Sequence, residues 1–119
     1  MKIYVLGSNS FMKEMVDAKN QLCALGFDGW IHPHYEAYVR GDMPKDIERW
    51  KNGENAALKR ENNYFHEHYE HILESDAVLI VNGEKHGVDN YIGGNVLIEM
   101  GQAYVTTRRY FSYTTCRLV

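Results

Sequence analysis

Glu99 is the residue whose surroundings best suit covalent chemistry. It lies about one turn into a predicted helix, residues 96–105, at the border of the apolar face. Burial raises the pKa of a carboxyl group and the positive helix end lowers it, so this carboxylate can stay ionised inside a pocket. Those properties suit a carboxylate nucleophile. A glutamate that merely favours the helix dipole is the alternative interpretation.

Two loops rich in glycine, serine and asparagine follow predicted strands and run directly into predicted helices. Helix N-termini present N–H groups that suit a phosphate or carboxylate, and glycine lets a ligand approach the backbone closely. The same residue types also make ordinary tight turns. The candidate ligand-binding residues of these loops are Gly7, Ser8, Asn9, Gly93, Gly94 and Asn95.

Two aspartates are further candidates. Asp76 comes immediately before the most apolar predicted strand, where a cap or turn is the alternative role. Asp89 lies in the glycine-rich loop before Glu99, where it can approach a ligand, although a solvated loop acid is the alternative.

The histidines do not follow a known metal-binding spacing. On a predicted helix only His68 and His71, three residues apart, share a face, and the zincin pattern is absent. The cysteines Cys23 and Cys116 follow no metal or redox spacing, and Cys23 falls in an apolar helical stripe that predicts a buried thiol. We therefore expect no metal and no cofactor.

Strands and helices alternate along the chain. The predicted strands cover residues 2–6, 27–32, 77–81 and 109–115, and the predicted helices cover residues 11–25, 56–74 and 96–105. Residues 35–55 are polar and without a clean period, which predicts a long loop with one short helix near residues 46–51.

This alternation predicts an α/β protein. We expect a Rossmann- or flavodoxin-like doubly wound parallel sheet of four to five strands, in a single domain of residues 1–119. Ligands of such sheets bind outside the carboxyl ends of the strands. The loops at residues 7–10 and 82–95 follow the first and third strands, so the sequence predicts a site where they meet.

Net charge and hydrophobicity limit the classes of partner that we expect. A net charge of −3 argues against a binder of polymeric nucleic acid. The apolar run at residues 3–6 is too short for a signal peptide or a membrane span, so we expect a cytoplasmic protein without a membrane partner. A short sheet with an exposed edge predicts a homo-oligomer, a dimer or higher.

Three segments together resemble the nucleoside 2-deoxyribosyltransferase superfamily, which includes nucleotide N-glycosidases. They read IYVLGS at residues 3–8, SDAVLIV at residues 75–81 and GNVLIEMGQA at residues 94–103. The segment NYIGGN at residues 90–95 is similar to a branch of small relatives. The resemblance covers most of residues 2–106.

The resemblance implies roles for the candidate residues. Glu99 is the expected nucleophile at the anomeric carbon, and Asp76 is the expected acid that handles the leaving base. Gly7 and Ser8 are expected beside the sugar, and Asp89 and Asn95 are expected to contact the sugar or a phosphate. In the family a tyrosine often orients the nucleophile, and Tyr91 or a tyrosine of a second chain is expected in that role.

The expected activity is cleavage or transfer of the N-glycosidic bond of a nucleoside or nucleoside monophosphate. The expected partner is thus a small-molecule nucleoside or nucleotide. The alternatives are a nucleotide-binding module without turnover and a protein-interaction module of the same fold.

Overall fold

The computed structural model describes residues 1–42, 44–61, 63–106 and 109–113. Its strands are β1 (Lys2–Gly7), β2 (Asp28–Trp30), β3 (Ala77–Val81) and β4 (Arg109–Tyr113). Its α-helices are α1 (Met12–Ala24), α2 (Pro33–Arg40), α3 (Pro44–Lys51), α4 (Asn55–Glu61), α5 (Tyr64–Glu74) and α6 (Gly94–Val105), and a short 3-10 turn (Asn9–Phe11) precedes α1.

All described strand pairs are parallel. The order across the sheet is β2-β1-β3-β4, with Ile3 opposite Ala77 at one end and Gly7 opposite Val81 at the other. The predicted α/β class with a parallel sheet is therefore confirmed. Because the strands are parallel, the loops that leave β1 and β3 emerge at the same edge.

Apolar side chains cover both faces of the sheet. Alternate residues of a strand point to opposite faces, and β1 divides its side chains accordingly. One core cluster joins the sheet to α5 and α6: Tyr4, Leu6, Ile72, Val78, Ile80, Val96 and Ala103. The other joins it to α1 and the segment after β2: Val5, Phe11, Met12, Met15, Ala18, Ile31 and Val81.

Residues 35–55 contain the predicted short helix, which is α3, but the rest of the segment is not simply the predicted loop. They contain most of α2, all of α3 and the first residue of α4. Pro33 opens α2 because its fixed φ angle and missing N–H suit the first helical turn, and the His32 side chain caps that helix by accepting from His34 N–H at 3.2 Å. Gly41 ends α2 in the left-handed conformation, with φ at 80°.

The single long helix predicted for residues 56–74 is also wrong. The structure has α4 and α5 instead, with Asn63 in the left-handed region at φ 53° immediately before α5. Asparagine tolerates that conformation better than most residues, and it interrupts a helix. The predicted last strand is present over Arg109–Tyr113, and residues 114 and 115 lie outside the described residues.

Two smaller findings concern the surface. Cys23 is exposed, so the prediction of a buried thiol is wrong: it lies near the end of α1, where Leu25 is exposed too. Among the described residues, no helix is both long enough and apolar enough to cross a bilayer.

Candidate functional site

A cavity of about 220 Å³ opens at the carboxyl edge of the sheet. The end of β1, the 3-10 turn, α2, α3, α5, the loop after β3 and the start of α6 all contribute to its wall. Its lining residues are Gly7, Ser8, Asn9, Ser10, Tyr35, Trp50, Tyr64, Phe65, His68, Lys85, Tyr91, Gly93, Gly94, Asn95, Val96 and Glu99. Of the predicted site residues, all except Asp76 and Asp89 line it.

Gly7 ends β1 directly beneath the cavity. A side chain there would meet the Met15 sulfur at 2.9 Å and the Val81 carbonyl oxygen at 3.0 Å, so it would force these neighbours to shift. The next residue, Ser8, starts the 3-10 turn, and its hydroxyl accepts from the N–H of Ser10 at 3.3 Å. The turn thus brings serine and asparagine side chains to the cavity wall.

The start of α6 forms the facing wall. A Cβ built on Gly94 would meet nothing within 4 Å, and one on Gly93 would touch only the Tyr91 ring at 3.6 Å. The packing of the chain therefore does not require glycine at either position. The space that these residues leave open belongs to the cavity, and the first N–H groups of α6 have no partner within the helix.

Glu99 lies one turn further along α6 and is buried, with 8% of its surface exposed. Its Oε1 is 3.8 Å from Nδ1 of His68 on α5, and the two side chains are equally buried. The prediction that Glu99 sits at a half-desolvated border of the helix therefore understates its burial. A buried carboxylate in a cavity wall is chemically unusual, because charge is costly to bury unless it has partners.

Tyr4 joins this pair from β1. Its hydroxyl forms a hydrogen bond with His68 Nδ1, and the residue is fully buried. Burial raises the pKa of Tyr4 far above its ordinary value, and the charge of Glu99 adds to that effect. Tyr4 therefore remains a neutral phenol near the carboxylate, whereas the resemblance implies Tyr91 or a tyrosine of a second chain in that position. Tyr91 lines the cavity, and Tyr4 contacts the Glu99–His68 pair through its hydrogen bond to His68.

A second contact between an imidazole and a carboxylate lies next to His68. The ring of His32 is 5.6 Å from that of His68, and its Nε2 is 2.9 Å from Glu67 Oε1. Since His32 Nδ1 accepts the N–H of His34, its ring proton lies on Nε2, the nitrogen nearer Glu67. Burial lowers the pKa of His32, while Glu67 acts in the opposite direction.

Five aromatic side chains surround the cavity. Burial raises the pKa of Tyr35, with a further contribution from the charge of Glu99, so this phenol also stays neutral. Flat apolar rings offer large contact area to another flat ring. The aromatic lining residues are Tyr35, Trp50, Tyr64, Phe65 and Tyr91.

The loop after β3 supplies a cation. Lys85 pairs with Val88 through two backbone hydrogen bonds around a tight turn, in which His86 and Gly87 both have positive φ. The Lys85 ammonium lies 5.1 Å from the centre of the Tyr91 ring, within the range of a cation–π contact. Asp89 follows this turn, is exposed and does not line the cavity.

Asp76 lies at the other end of the sheet. Its carboxylate accepts the N–H of Lys2 at 2.7 Å, and its own N–H donates to the Lys2 carbonyl at 2.9 Å. A strand rises about 3.3 Å per residue, so roughly 15 Å of β3 separates Asp76 from the carboxyl edge. Asp76 is therefore far from Glu99. Its two hydrogen bonds to Lys2 fix the start of β1.

Sequence reasoning missed several of the cavity residues. His68 was noticed only as half of a histidine pair, and Tyr35 and Trp50 fell in a segment predicted to be mostly loop. Tyr64 and Phe65 lay within a helix predicted to be continuous. The one signal for these residues is composition, because 13% of the chain is aromatic.

Within the part of the chain that the structure describes, no group of three or more His, Cys, Asp or Glu side chains is arranged to hold a metal ion. Comparison with family models, with curated proteins and with solved structures found no match to this chain.

Proposed function

We propose that the protein cleaves or transfers the N-glycosidic bond of a nucleoside or nucleoside monophosphate, with Glu99 as the nucleophile. The observation that carries this proposal is a buried carboxylate in the wall of a cavity that is otherwise lined by aromatic rings, glycine-rich turns and a histidine. Aromatic rings suit a nucleobase, and the polar turns suit a sugar.

The reaction is a retaining displacement in two steps. Glu99 attacks the anomeric carbon as the bond to the base breaks, and a glycosyl ester forms on its carboxylate. Water, or a second base, then attacks the same carbon and releases Glu99. Desolvation of Glu99 favours this role, because a carboxylate stripped of water is the better nucleophile.

The cavity favours a small substrate. Its volume of about 220 Å³ is below the range of about 300–1,000 Å³ typical of pockets that enclose drug-sized ligands. Lys85 is the ammonium group among the described lining residues, and it suits a substrate that carries a phosphate. No bound cofactor is needed for this chemistry.

The fold supports the same proposal. The strand order β2-β1-β3-β4 corresponds to the first four strands of the flavodoxin-like doubly wound order. We therefore favour a Rossmann- or flavodoxin-like domain of the nucleoside 2-deoxyribosyltransferase type, in the cytoplasm. The resemblance of residues 3–8 and 94–103 to that superfamily agrees with where Gly7, Ser8 and Glu99 lie.

A nucleotide-binding module without turnover is the second candidate. The observation in its favour is the position of Asp76, because the acid expected to assist the leaving base lies at the opposite end of the sheet. A cavity with a carboxylate but without an acid would bind a nucleoside without cleaving it.

We also favour a second copy of this chain as a partner. The outer face of α6 exposes uncharged side chains, so two copies can meet there without bringing like charges together. The exposed apolar residues on it are Leu97, Ile98, Tyr104 and Val105. Light scattering after size exclusion should show a dimer or larger oligomer that Leu97→Lys dissociates, while Leu25→Lys, at the exposed end of α1, leaves it intact.

The activity is tested by incubating the protein with a panel of nucleosides and nucleoside monophosphates, with and without an acceptor base. Free base is measured by chromatography. The proposal expects base release by the wild type from at least one member of the panel.

Glu99→Gln is the matched control, since it keeps the shape of the side chain and removes its charge. Base release that persists in this variant would contradict the assignment of Glu99. Ligand binding without any release from the wild type would favour the second candidate.

A further inference from the structure

The acid that assists the leaving base has to be in the cavity, and His68 is the side chain there with the right chemistry. Resting on the function proposed above, we propose that His68 protonates the departing base and later activates the attacking water. This assigns to His68 the part that sequence resemblance gave to Asp76.

Geometry places His68 and Glu99 as a pair. Both line the cavity, and Nδ1 of the imidazole is 3.8 Å from Oε1 of the carboxylate. Retaining glycosidases hold their nucleophile and their acid about 5–5.5 Å apart on either side of the scissile bond. Nε2 lies across the ring from Nδ1 and so extends the reach of His68 away from Glu99.

The neighbours of His68 favour the protonation states that the reaction needs. A carboxylate beside an imidazole stabilises the imidazolium, and the imidazolium in turn keeps the carboxylate ionised. In the proposed mechanism the pair supplies a charged nucleophile and a proton donor at the same time. Because the Tyr4 hydroxyl engages Nδ1, the proton given to a ligand comes from Nε2.

Glu99 and His68 both return to their starting protonation states over the two steps. In the first step Glu99 forms a bond to the anomeric carbon, the bond from carbon to base breaks, and the imidazolium gives its Nε2 proton to the base. In the second step neutral His68 takes a proton from water while the water oxygen attacks the anomeric carbon, and the ester bond to Glu99 breaks. The carboxylate and the imidazolium are both restored.

Titratable groups reach His68 from every element packed around it. Glu99 comes from α6, Tyr4 from β1, His32 from the segment before α2, Tyr35 from α2 and Tyr64 from α5. Tyr4 and Tyr35 stay neutral because burial raises the pKa of each. These two phenols therefore add no charge next to His68.

The test compares substrates whose bases differ in their need for a proton. Guanosine and its 2′-deoxy and 5′-monophosphate forms release a base that must be protonated, whereas their N7-methyl counterparts already carry the positive charge. His68→Gln should lower base release from the unmethylated compounds by about 10²–10⁴-fold, the usual contribution of a general acid. Measured in a single turnover, release from the N7-methyl compounds should fall by less than about tenfold, because base leaves in the first step and an already cationic base needs no proton from His68.

His66→Gln is the matched control, since His66 is exposed on the same helix and pairs with Glu70 at 3.2 Å. It should leave release from both sets of compounds unchanged. An equal loss on both sets in His68→Gln, or no loss on either, would overturn the acid role while leaving the proposed function in place. Absence of release by the wild type from these compounds and from every member of the nucleoside panel would overturn both.

A second measurement needs no variant. With the wild type, base release from guanosine compounds should fall as pH rises, because a general acid acts only while it holds its proton, and release from the N7-methyl compounds should lack that fall. Identical profiles for both sets would contradict the proposal even if His68→Gln does not fold.

Discussion

The two ends of the parallel sheet each hold a carboxylate, and the structure treats them differently. At the carboxyl end Glu99 is buried in a cavity wall beside His68. At the amino end Asp76 is exposed and accepts the backbone N–H of Lys2. Ligands of open parallel sheets bind outside the carboxyl ends of the strands. Glu99 is therefore placed where it can react with a ligand, whereas Asp76 is placed where it can only stabilise the fold.

The largest expected contrast is between Glu99→Gln and Asp76→Asn in base release. Glu99→Gln removes the nucleophile, and it should reduce release by at least about 10³-fold, since covalent catalysis is then lost. Asp76→Asn should keep activity within about threefold, because its site is roughly 15 Å of strand away from the cavity edge. A comparable loss in both variants would break the distinction between the two ends.

The packing beneath the cavity should make Gly7 intolerant of a side chain. Gly7→Ala places a methyl group within 3.0 Å of the Met15 sulfur and the Val81 carbonyl oxygen, and we expect a loss of about 1–3 kcal/mol in the free energy of unfolding. Gly94→Ala meets nothing within 4 Å and should change that free energy little. Urea denaturation of the two variants checks this, and equal stability would show that the cavity floor is loosely packed.

His32, which follows β2 at the carboxyl end of the sheet, should make the free energy of unfolding depend on pH. Burial lowers the pKa of His32 below the value of the unfolded chain, despite the opposing effect of Glu67, so folding favours the neutral imidazole. As pH falls through about 6.5, the unfolded chain binds a proton more readily than the folded one, and stability is lost. Thermal unfolding between pH 5 and 8 should show this loss.

His32→Gln is the comparison for that dependence. It should weaken the loss of stability between pH 7 and 5, although it also removes the cap of α2 and lowers stability at every pH. Desolvation acts to raise the pKa of Glu67, but the interactions with His32, His71 and His34 lower it on balance. The loss of stability due to Glu67 therefore belongs to lower pH, near the ordinary titration of a carboxyl group. An unchanged slope in His32→Gln would contradict the assignment.

The smallest effect is expected at the amino end. Asp76→Ala removes the acceptor for Lys2 N–H, and the loss in the free energy of unfolding should be about 1 kcal/mol, as for a single solvent-accessible hydrogen bond. Chemical denaturation measures it. A loss as large as that of Gly7→Ala would mean that Asp76 supports more than the start of β1.

The sequence predicted the parts of the fold with strong periodic patterns. β3 is apolar on both faces and α1 and α6 have clear helical spacing, so their existence followed from pattern alone. Parallel order then placed the loops after β1 and β3 at one edge. Gly7, Ser8, Gly94 and Glu99 could be assigned to one site on that basis.

Other parts of the fold and of the site depend on tertiary contacts, which local sequence patterns do not encode. Trp50 lies on α3, in a polar segment whose apolar positions show no regular period, and it reaches the cavity only through tertiary packing. His68 meets Glu99 because α5 packs against α6, a contact between distant parts of the chain. Asp76 shows the opposite error: it precedes its strand, so parallel order alone places it away from the site.

If Glu99 is the nucleophile, a glycosyl ester forms on its carboxylate, and that ester can be detected directly. The protein is incubated with a nucleoside that carries fluorine at C2′, which destabilises the oxocarbenium-like transition state and slows hydrolysis of the ester. Mass spectrometry of the protein and its peptides then follows. We expect an added fluorosugar on the peptide that contains Glu99, and none in Glu99→Gln. Base release with no adduct on that peptide, or an adduct on another residue, would contradict the assignment of Glu99 as the nucleophile.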